Sequence, residues 1–158
     1  MLIKEFEKCE KIQFNKDEKF CKYSMIKKNK VVKFSRGRAL ELYLRNSYGY
    51  AELELDNVPH WEAGDININN IEYNIKSKNC ELNAEGITIQ EKIENYIAQD
   101  ASEGLIYLIE HKEKFLEIRM TWEEAREFIV TFGKLDRGAI RIKNGDRTIY
   151  NWAIEKIA

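Results

Sequence analysis

Two histidines, His60 and His111, are the residues of this 158-residue chain best suited to acid–base chemistry near neutral pH. His60 stands in the segment 56–70, which holds the single proline and which we predict to be the longest loop, with Glu62 and Asp65 nearby. His111 stands in a predicted hairpin turn, where a histidine is usually solvated. The sequence has neither a Gly-x-Ser-x-Gly elbow nor a phosphate-binding Gly-x-x-x-x-Gly-Lys-Ser/Thr loop. We therefore predict a protein that is not an enzyme, and we keep catalysis by His60 as a third hypothesis.

One motif has the spacing of a metal site. Asp65, Asn67 and Asn69 match the first, third and fifth oxygen ligands of a calcium-binding loop. The sixth position, normally glycine, is Asn70, and the twelfth, which should supply a bidentate carboxylate, is Lys76. Because a cation cannot be that ligand, we interpret this segment as a polar loop.

The three cysteines, Cys9, Cys21 and Cys80, lack the close paired spacing of a structural zinc site. Reduced thiols in the cytoplasm are the simpler interpretation. Residues 1–8 are rich in charge and lack the apolar run of a secretory signal, and no stretch approaches the ~20 apolar residues of a membrane span. We predict a cytoplasmic protein with no metal, no cofactor and no membrane contact.

Basic residues gather around one predicted hairpin, formed by 20–26, a turn over 27–30, and 31–35. That turn places Met25 opposite Val32 and separates an apolar face from a lysine-bearing face. Such a tip could bind phosphates, or it could be a lysine-rich edge that prevents sheet-to-sheet association. The candidates for binding a partner or nucleic acid are Lys22, Lys27, Lys28, Lys30, Lys33, Arg36 and Arg38, and a weaker second basic face comprises Arg141, Lys143 and Arg147.

The net charge of −1 conceals an uneven distribution. Residues 1–50 hold 13 Lys and Arg against 6 Asp and Glu, a net charge of +7, whereas residues 51–115 hold 5 against 14, a net charge of −9. The acidic stretch is either hydrophilic cover or a surface for a basic protein. Tyrosines that we predict to point outward beside it favour a protein contact, with the candidates Tyr43, Tyr48, Tyr50, Glu52 and Glu54.

The elements that position these residues are mostly predicted from hydrophobic periodicity. Residues 2–13 have helical spacing. Strict alternation of Leu40, Leu42 and Leu44 predicts a strand, paired across a turn with residues 51–55. Alternation resumes in 70–83, which predicts a further strand or hairpin.

We predict that one pattern of capped helix, glycine and β-hairpin occurs twice in residues 88–157. Thr88 and Thr121 each begin a Thr-x-x-Glu capping box, and Gly133 is placed to cap the second helix. The matching glycines are Gly104 and Gly138. The first hairpin is predicted over 105–119. The second comprises 139–143 and 148–152 around a three-residue turn, which sets Ile142 opposite Thr148 and Ile140 opposite Tyr150.

These patterns predict an α+β fold in which antiparallel hairpins form one or two sheets packed by two to three amphipathic helices, with a tandem αββ repeat in the C-terminal half. We predict a single domain over 1–158, made of a hairpin-rich half, 1–87, and the repeated block, 88–158. The function we predict is non-enzymatic binding to a protein or nucleoprotein partner, such as inhibition of a host defence complex by a phage or mobile element. The alternatives are nucleic-acid binding through the hairpin 20–38 and a toxin's immunity protein. The oligomeric state is left open.

Overall fold

The computed structural model describes residues 1–6, 15–17, 22–27, 30–49, 66–77, 81–112, 114–142 and 145–157, and for 15–39 the backbone alone. Two compact units are present: Met1–Glu5 with His60–Ala158, called the large unit below, and Phe6–Pro59, called the small unit. The single domain over 1–158 stays a prediction. In chain order the described elements are β1 Leu2–Phe6, β2 Asn15–Asp17, β3 Lys22–Lys27, β4 Lys30–Ser35, α1 Arg36–Ser47, β5 Ile66–Ile68, β6 Ile71–Ser77, β7 Glu81–Leu82, α2 Ile89–Gln99, β8 Gly104–His111, β9 Lys114–Thr121, α3 Trp122–Phe132, β10 Gly133–Asp136, β11 Ala139–Ile142 and α4 Gly145–Ile157.

The fold is α+β, as the sequence predicts. Among the described residues the strands form a five-stranded sheet in the order β1-β9-β8-β6-β5 and two three-stranded sheets, β10-β11-β7 and β2-β3-β4. The β6–β8 pair is parallel, and the β5–β6 and β8–β9 pairs are antiparallel. The parallel pair was not predicted, although the predicted helix after Thr88, α2, provides the crossover that parallel neighbours need.

The small unit confirms the predicted basic hairpin. β3 and β4 are antiparallel, and their register places Met25 opposite Val32 and Tyr23 opposite Phe34, as the alternation predicts. β2 adds a third strand on the β3 side, with Asn15 opposite Ser24.

The predicted strand around Leu40, Leu42 and Leu44 is wrong, because residues 36–47 form the helix α1. All three leucines are buried, and so are Tyr43 and Arg45 between and after them. Burial of consecutive positions gives no clear helical stripe, so the alternation was misleading. The segment has no β-branched residue and is rich in Leu, Arg, Ala and Glu, which favour helix. The second strand predicted for that hairpin, 51–55, lies outside the described residues.

Two further predictions in the first half are corrected. Residues 2–6 are a strand beside β9 and not the start of the helix predicted over 2–13, and residues 7–13 lie outside the described residues. The predicted loop 56–70 contains β5, which pairs with β6 through the turn Asn69–Asn70, while 56–65 lies outside the described residues. Both asparagines have positive φ, 53° and 67°, as a two-residue hairpin turn of the type I′ kind requires.

Both capped helices are confirmed. The hydroxyl of Thr88 accepts a hydrogen bond from the Glu91 backbone N–H at 3.1 Å, while the Glu91 carboxylate accepts from Ile87. Thr121 and Glu124 form the complete reciprocal box, in which each side chain accepts from the other residue's backbone N–H. α3 ends at Gly133, as predicted.

The hairpin 105–119 is confirmed as β8–β9, with Ile109 opposite Leu116. The predicted hairpin 139–152 is wrong. Here β11 pairs with β10, which sets Ile140 opposite Leu135 and Ile142 opposite Gly133. Residues 148–152 belong to α4.

A helical stripe explains that error. Ile149 and Ala153 are buried, and Trp152 packs against the same core, which is the i, i+3, i+4 spacing of an amphipathic helix. The order of helix then hairpin does occur twice. However, Gly104 begins a strand whereas Gly138 lies in a turn with a φ of 81°, and the tandem repeat remains unconfirmed.

The core of the large unit lies between one face of β8–β9 and the three helices α2, α3 and α4. The predicted stripe of α3 is buried there, and the Phe128 ring packs in tilted contacts against Tyr107 and Trp152, at centroid distances of 5.2 Å and 5.6 Å. The sheet residues on this face alternate along both strands: Leu105, Tyr107, Ile109, Leu116, Ile118 and Met120.

Candidate nucleic-acid interface

The basic hairpin has its lysines at two kinds of register position. Lys27 and Lys30 stand directly opposite each other at the closed end of the ribbon. Lys22 lies opposite Ser35, and Lys33 lies opposite Ser24. These two pairs occupy one face of the ribbon, and the pairs Tyr23–Phe34 and Met25–Val32 occupy the other face. Lys28, which follows Lys27 in the chain, lies outside the described residues. The register therefore brings four lysine positions onto one short two-stranded ribbon.

Arg36 and Arg38 are not part of the ribbon, because α1 begins at Arg36 immediately after β4. The first turn of α1 contains no acidic residue. A helix N-terminus carries partial positive charge, so two arginines there oppose the helix dipole and destabilise an isolated helix slightly. The same arrangement adds positive charge near Lys22, which lies opposite Ser35, whereas Lys27 and Lys30 lie at the other end of the ribbon.

One member of the second predicted basic face is already paired with carboxylates. Arg141 on β11 forms ion pairs with Glu81 on β7, at 3.3 Å, and with Asp136 on β10, at 3.7 Å. Arg147 is exposed on α4, and Lys143 lies outside the described residues. Two carboxylates thus neutralise the guanidinium that was to anchor this face.

The predicted tyrosine–carboxylate surface loses a central member. Tyr43 is fully buried within α1 and cannot contact a partner. The error follows from α1, since a strand would have turned Tyr43 away from the three leucines. Tyr48 is half-buried just after the helix, while Tyr50, Glu52 and Glu54 lie outside the described residues.

The structure describes His111 but few of the other residues considered for acid–base or metal chemistry. His111 is half-buried at the end of β8, where its ring packs on Tyr150 with the centroids 4.9 Å apart. His60, Glu62, Asp65 and all three cysteines lie outside the described residues. Over the described part of the chain, no group of three or more His, Cys, Asp or Glu side chains is placed to hold a metal ion.

Sequence reasoning missed a polar group on the second face of the five-stranded sheet. Glu117 is only 1% exposed, and its carboxylate lies 3.6 Å from the Arg119 guanidinium. That guanidinium lies 5.7 Å from the ring centroid of Tyr73. A Cβ at Gly104 would come within 2.8 Å of the same ring, so the Tyr73 ring can occupy this position only because residue 104 is glycine. Alternation with Leu116 and Ile118 does place Glu117 on this face, but it gives no sign of burial.

A second missed network fastens the end of α2 to the sheet. The Asn74 amide donates to the Tyr96 hydroxyl at 2.9 Å and to the Asp100 carboxylate at 2.8 Å. Asp100 also accepts from the Ser102 backbone N–H, and the Trp122 indole donates to the Ser102 carbonyl. These bonds satisfy partly buried polar groups, so this network stabilises the fold.

The two units carry opposite charge. The small unit holds 12 Lys and Arg against 8 Asp and Glu, a net charge of +4, and the large unit holds 14 against 19, a net charge of −5. A polyanion would therefore be attracted to the small unit, where the basic hairpin lies, and repelled by the large one.

Comparisons of the chain with protein-family models, with curated proteins and with solved structures gave no significant match. None of the described helices is long and apolar enough to cross a membrane.

Proposed function

We propose that this chain is a non-enzymatic binding protein whose partner is a nucleic acid or a nucleoprotein complex, contacted through the basic hairpin. The carrying observation is the register of β3 and β4, which gathers Lys22, Lys27, Lys30 and Lys33 on one ribbon. Lysines held at fixed spacing can neutralise successive phosphates and release their counterions, which is the main source of affinity in sequence-independent binding.

Three further observations favour the basic hairpin over the two other predicted surfaces, the tyrosine–carboxylate surface and the second basic face. Tyr43 is buried, Arg141 is neutralised by Glu81 and Asp136, and the net positive charge lies in the small unit. Inhibition of a host defence complex and the role of a toxin's immunity protein stay predictions, which partner identification would separate.

A gel-shift assay with labelled DNA and RNA at low salt tests the proposal. We expect the wild-type chain to shift at least one of them, and the double variant Lys27→Glu with Lys30→Glu to lose that shift. The matched control is Lys112→Glu with Lys114→Glu, which makes the same charge change around the exposed β8–β9 turn of the large unit and should keep the shift.

Capture of the partner from a lysate, with and without nuclease, covers the nucleoprotein case. We expect recovery to fall in the hairpin variant and not in the control. A stoichiometric protein partner that is retained equally by the hairpin variant, together with no shift of any nucleic acid, would overturn the proposal.

A further inference from the structure

The outer strand of the smaller sheet in the large unit has a leucine that is open to solvent. This strand is β10, and the described strands of its sheet run in the order β10-β11-β7. Ile140 on the central strand lies between Leu135 and Leu82 and is fully buried. Leu135 shares that face of the sheet but is 47% exposed. This exposure of a leucine directly beside the core indicates that the outer edge of β10 is accessible.

The same edge presents backbone groups that can pair with another strand. The β10–β11 turn consists of Arg137–Gly138, and both residues have positive φ. In a two-residue hairpin the residues that flank the turn form a hydrogen-bonded pair, and such pairs alternate with non-hydrogen-bonded pairs. Asp136–Ala139 is therefore of the first kind and Leu135–Ile140 of the second. The N–H and C=O of Leu135 consequently point away from β11, toward the outer edge.

The charges on β10 are complementary to those on a second copy of the same strand. Lys134 is exposed and lies directly opposite Arg141, a like charge, which is unfavourable across a strand pair. Asp136 lies on the other side of Leu135 in the chain. When two copies of β10 are placed antiparallel and centred on Leu135, Lys134 of each copy lies opposite Asp136 of the other. Two opposite-charge pairs thus form at the positions that flank the central leucine pair.

We infer that two copies of this chain form a homodimer through β10, with the strands antiparallel and the twofold axis at Leu135. The two Leu135 residues exchange N–H···O=C hydrogen bonds. The Lys134–Asp136 pairs are then the closely spaced, non-hydrogen-bonded pairs, in which side chains approach each other best. The same patch is used on both copies, as in most soluble homo-oligomers.

The length of β10 sets the strength of this contact. Four residues pair over only about 14 Å, so the interface is smaller than the roughly 1,600 Å² of a typical stable complex. We therefore expect a weak dimer, which is populated at high micromolar concentrations of the chain.

Sedimentation equilibrium at concentrations up to about 1 mM tests the inference. The wild-type chain should dimerise. Lys134→Asp and Asp136→Lys should each weaken the dimer by at least about ten-fold, because each variant makes both charge pairs like-charged. Leu135→Lys, at an exposed position, should do the same by placing two cations at the centre. The matched control is Lys112→Asp, which makes the same charge change in the exposed β8–β9 turn and should leave the dimer unchanged.

Mixing the two charge variants gives the sharpest result. An equimolar mixture of Lys134→Asp and Asp136→Lys restores opposite charges across both pairs, so we expect a heterodimer about as strong as the wild-type dimer. A folding defect in either variant would not be repaired by mixing. Asp136→Lys also removes a carboxylate from Arg141, and if it does not fold, Lys134→Asp and Leu135→Lys decide the question.

Three results would overturn the inference. The first is a wild-type chain that stays monomeric at 1 mM, which would show that the edge is covered by the chain itself or does not associate. The second is a dimer that Lys134→Asp and Leu135→Lys leave unchanged, which would place the contact elsewhere. The third is a mixture of two folded charge variants that stays monomeric.

Discussion

Replacing Lys92 with methionine removes a polar link between three segments of the large unit. Lys92 lies on α2 and is only 7% exposed. Its ammonium donates to the carbonyl of Ala84, at 2.9 Å, and to the carbonyl of Gly138 in the β10–β11 turn, at 2.6 Å. Among the residues whose side chains the structure describes, it is the one buried lysine.

The cost follows from these two bonds. A hydrogen bond from a charged donor contributes about 1.5–3 kcal/mol, so the two together contribute at most about 6 kcal/mol. Much of this loss of free energy is offset in the variant. Methionine keeps the aliphatic packing of the lysine side chain and removes the energetic cost of burying its charge. The Ala84 carbonyl belongs to a half-buried residue and the Gly138 carbonyl to an exposed one, so water can bind both carbonyls in place of the lysine. We expect a net loss of about 2 kcal/mol in the free energy of unfolding.

Urea unfolding followed by tryptophan fluorescence measures this loss selectively, because Trp61, Trp122 and Trp152 all belong to the large unit. With a denaturant slope of about 2 kcal/mol per molar, the midpoint should fall by about 1 M. Gln90→Met, at an exposed position of the same helix, is the control and should shift the midpoint by less than a quarter of that. Equal midpoints for the two variants would refute the assignment of Lys92 as a structural link.

Three more changes test the fold. Gly104→Ala should destabilise the large unit by about 3 kcal/mol, because the new Cβ would lie 2.5 Å from the Met120 carbonyl and 2.8 Å from the Tyr73 ring. Gly138→Ala, with no atom within 4 Å and only a positive φ to strain it, should cost about 1 kcal/mol; the reverse order in urea unfolding would contradict the packing described here. Asn74→Ala loses the bonds to Tyr96 and Asp100 and should cost about 2 kcal/mol, measured against Asn151→Ala at an exposed position of α4; no difference between them would show that the network is unimportant. The hydrogen bond from the Met1 amino group, followed by bonds from Thr121, lowers the pKa of Glu124 in the folded chain. Its ionised carboxylate therefore stabilises the fold at pH values above its ordinary pKa of about 4.5. That stabilisation is lost as the pH falls through the lower pKa of the folded state. In Glu124→Gln this part of the acid destabilisation should be absent, which unfolding midpoints between pH 6 and pH 3 would show; an unchanged pH dependence would be the contrary result.

The structure shows which sequence signals were sufficient. Local chemistry fixes the capped starts of α2 and α3 and the end of α3 at Gly133, because a threonine, a glutamate and a glycine at set spacings satisfy the free backbone groups of a helix end. The β3–β4 register follows from alternation, since a slip of one residue would exchange its apolar and lysine faces.

Other elements depend on contacts that no local pattern contains. The leucines of α1 alternate as in a strand, yet they are buried on several sides of a helix. Residues 148–152 alternate equally well, but the spacing of Ile149 and Ala153 places them on the helix face that packs on β8–β9. β10 was missed because it follows α3 directly, and its hairpin turn, Arg137–Gly138, was taken as the link from the helix into the next strand. The burial of Glu117 depends on packing across the sheet and has no local signal.

The candidate site divides in the same way. The lysines of β3 and β4 were found because charge and alternation are both visible in sequence. The outward orientation predicted for Tyr43 was wrong because it depended on the mistaken strand. The pairing of Arg141 was missed because Glu81 is distant from it in the chain.

The salt dependence of binding tests the central claim most directly. The affinity of the wild-type chain for a DNA duplex should be measured from 50 to 200 mM salt beside the Lys27→Gln, Lys28→Gln, Lys30→Gln variant. Three phosphate contacts predict that the wild-type affinity falls over this range by about 40-fold more than that of the variant. Parallel salt dependences for the two proteins, or no binding by the wild-type chain at 50 mM salt, would contradict a nucleic-acid interface on the basic hairpin.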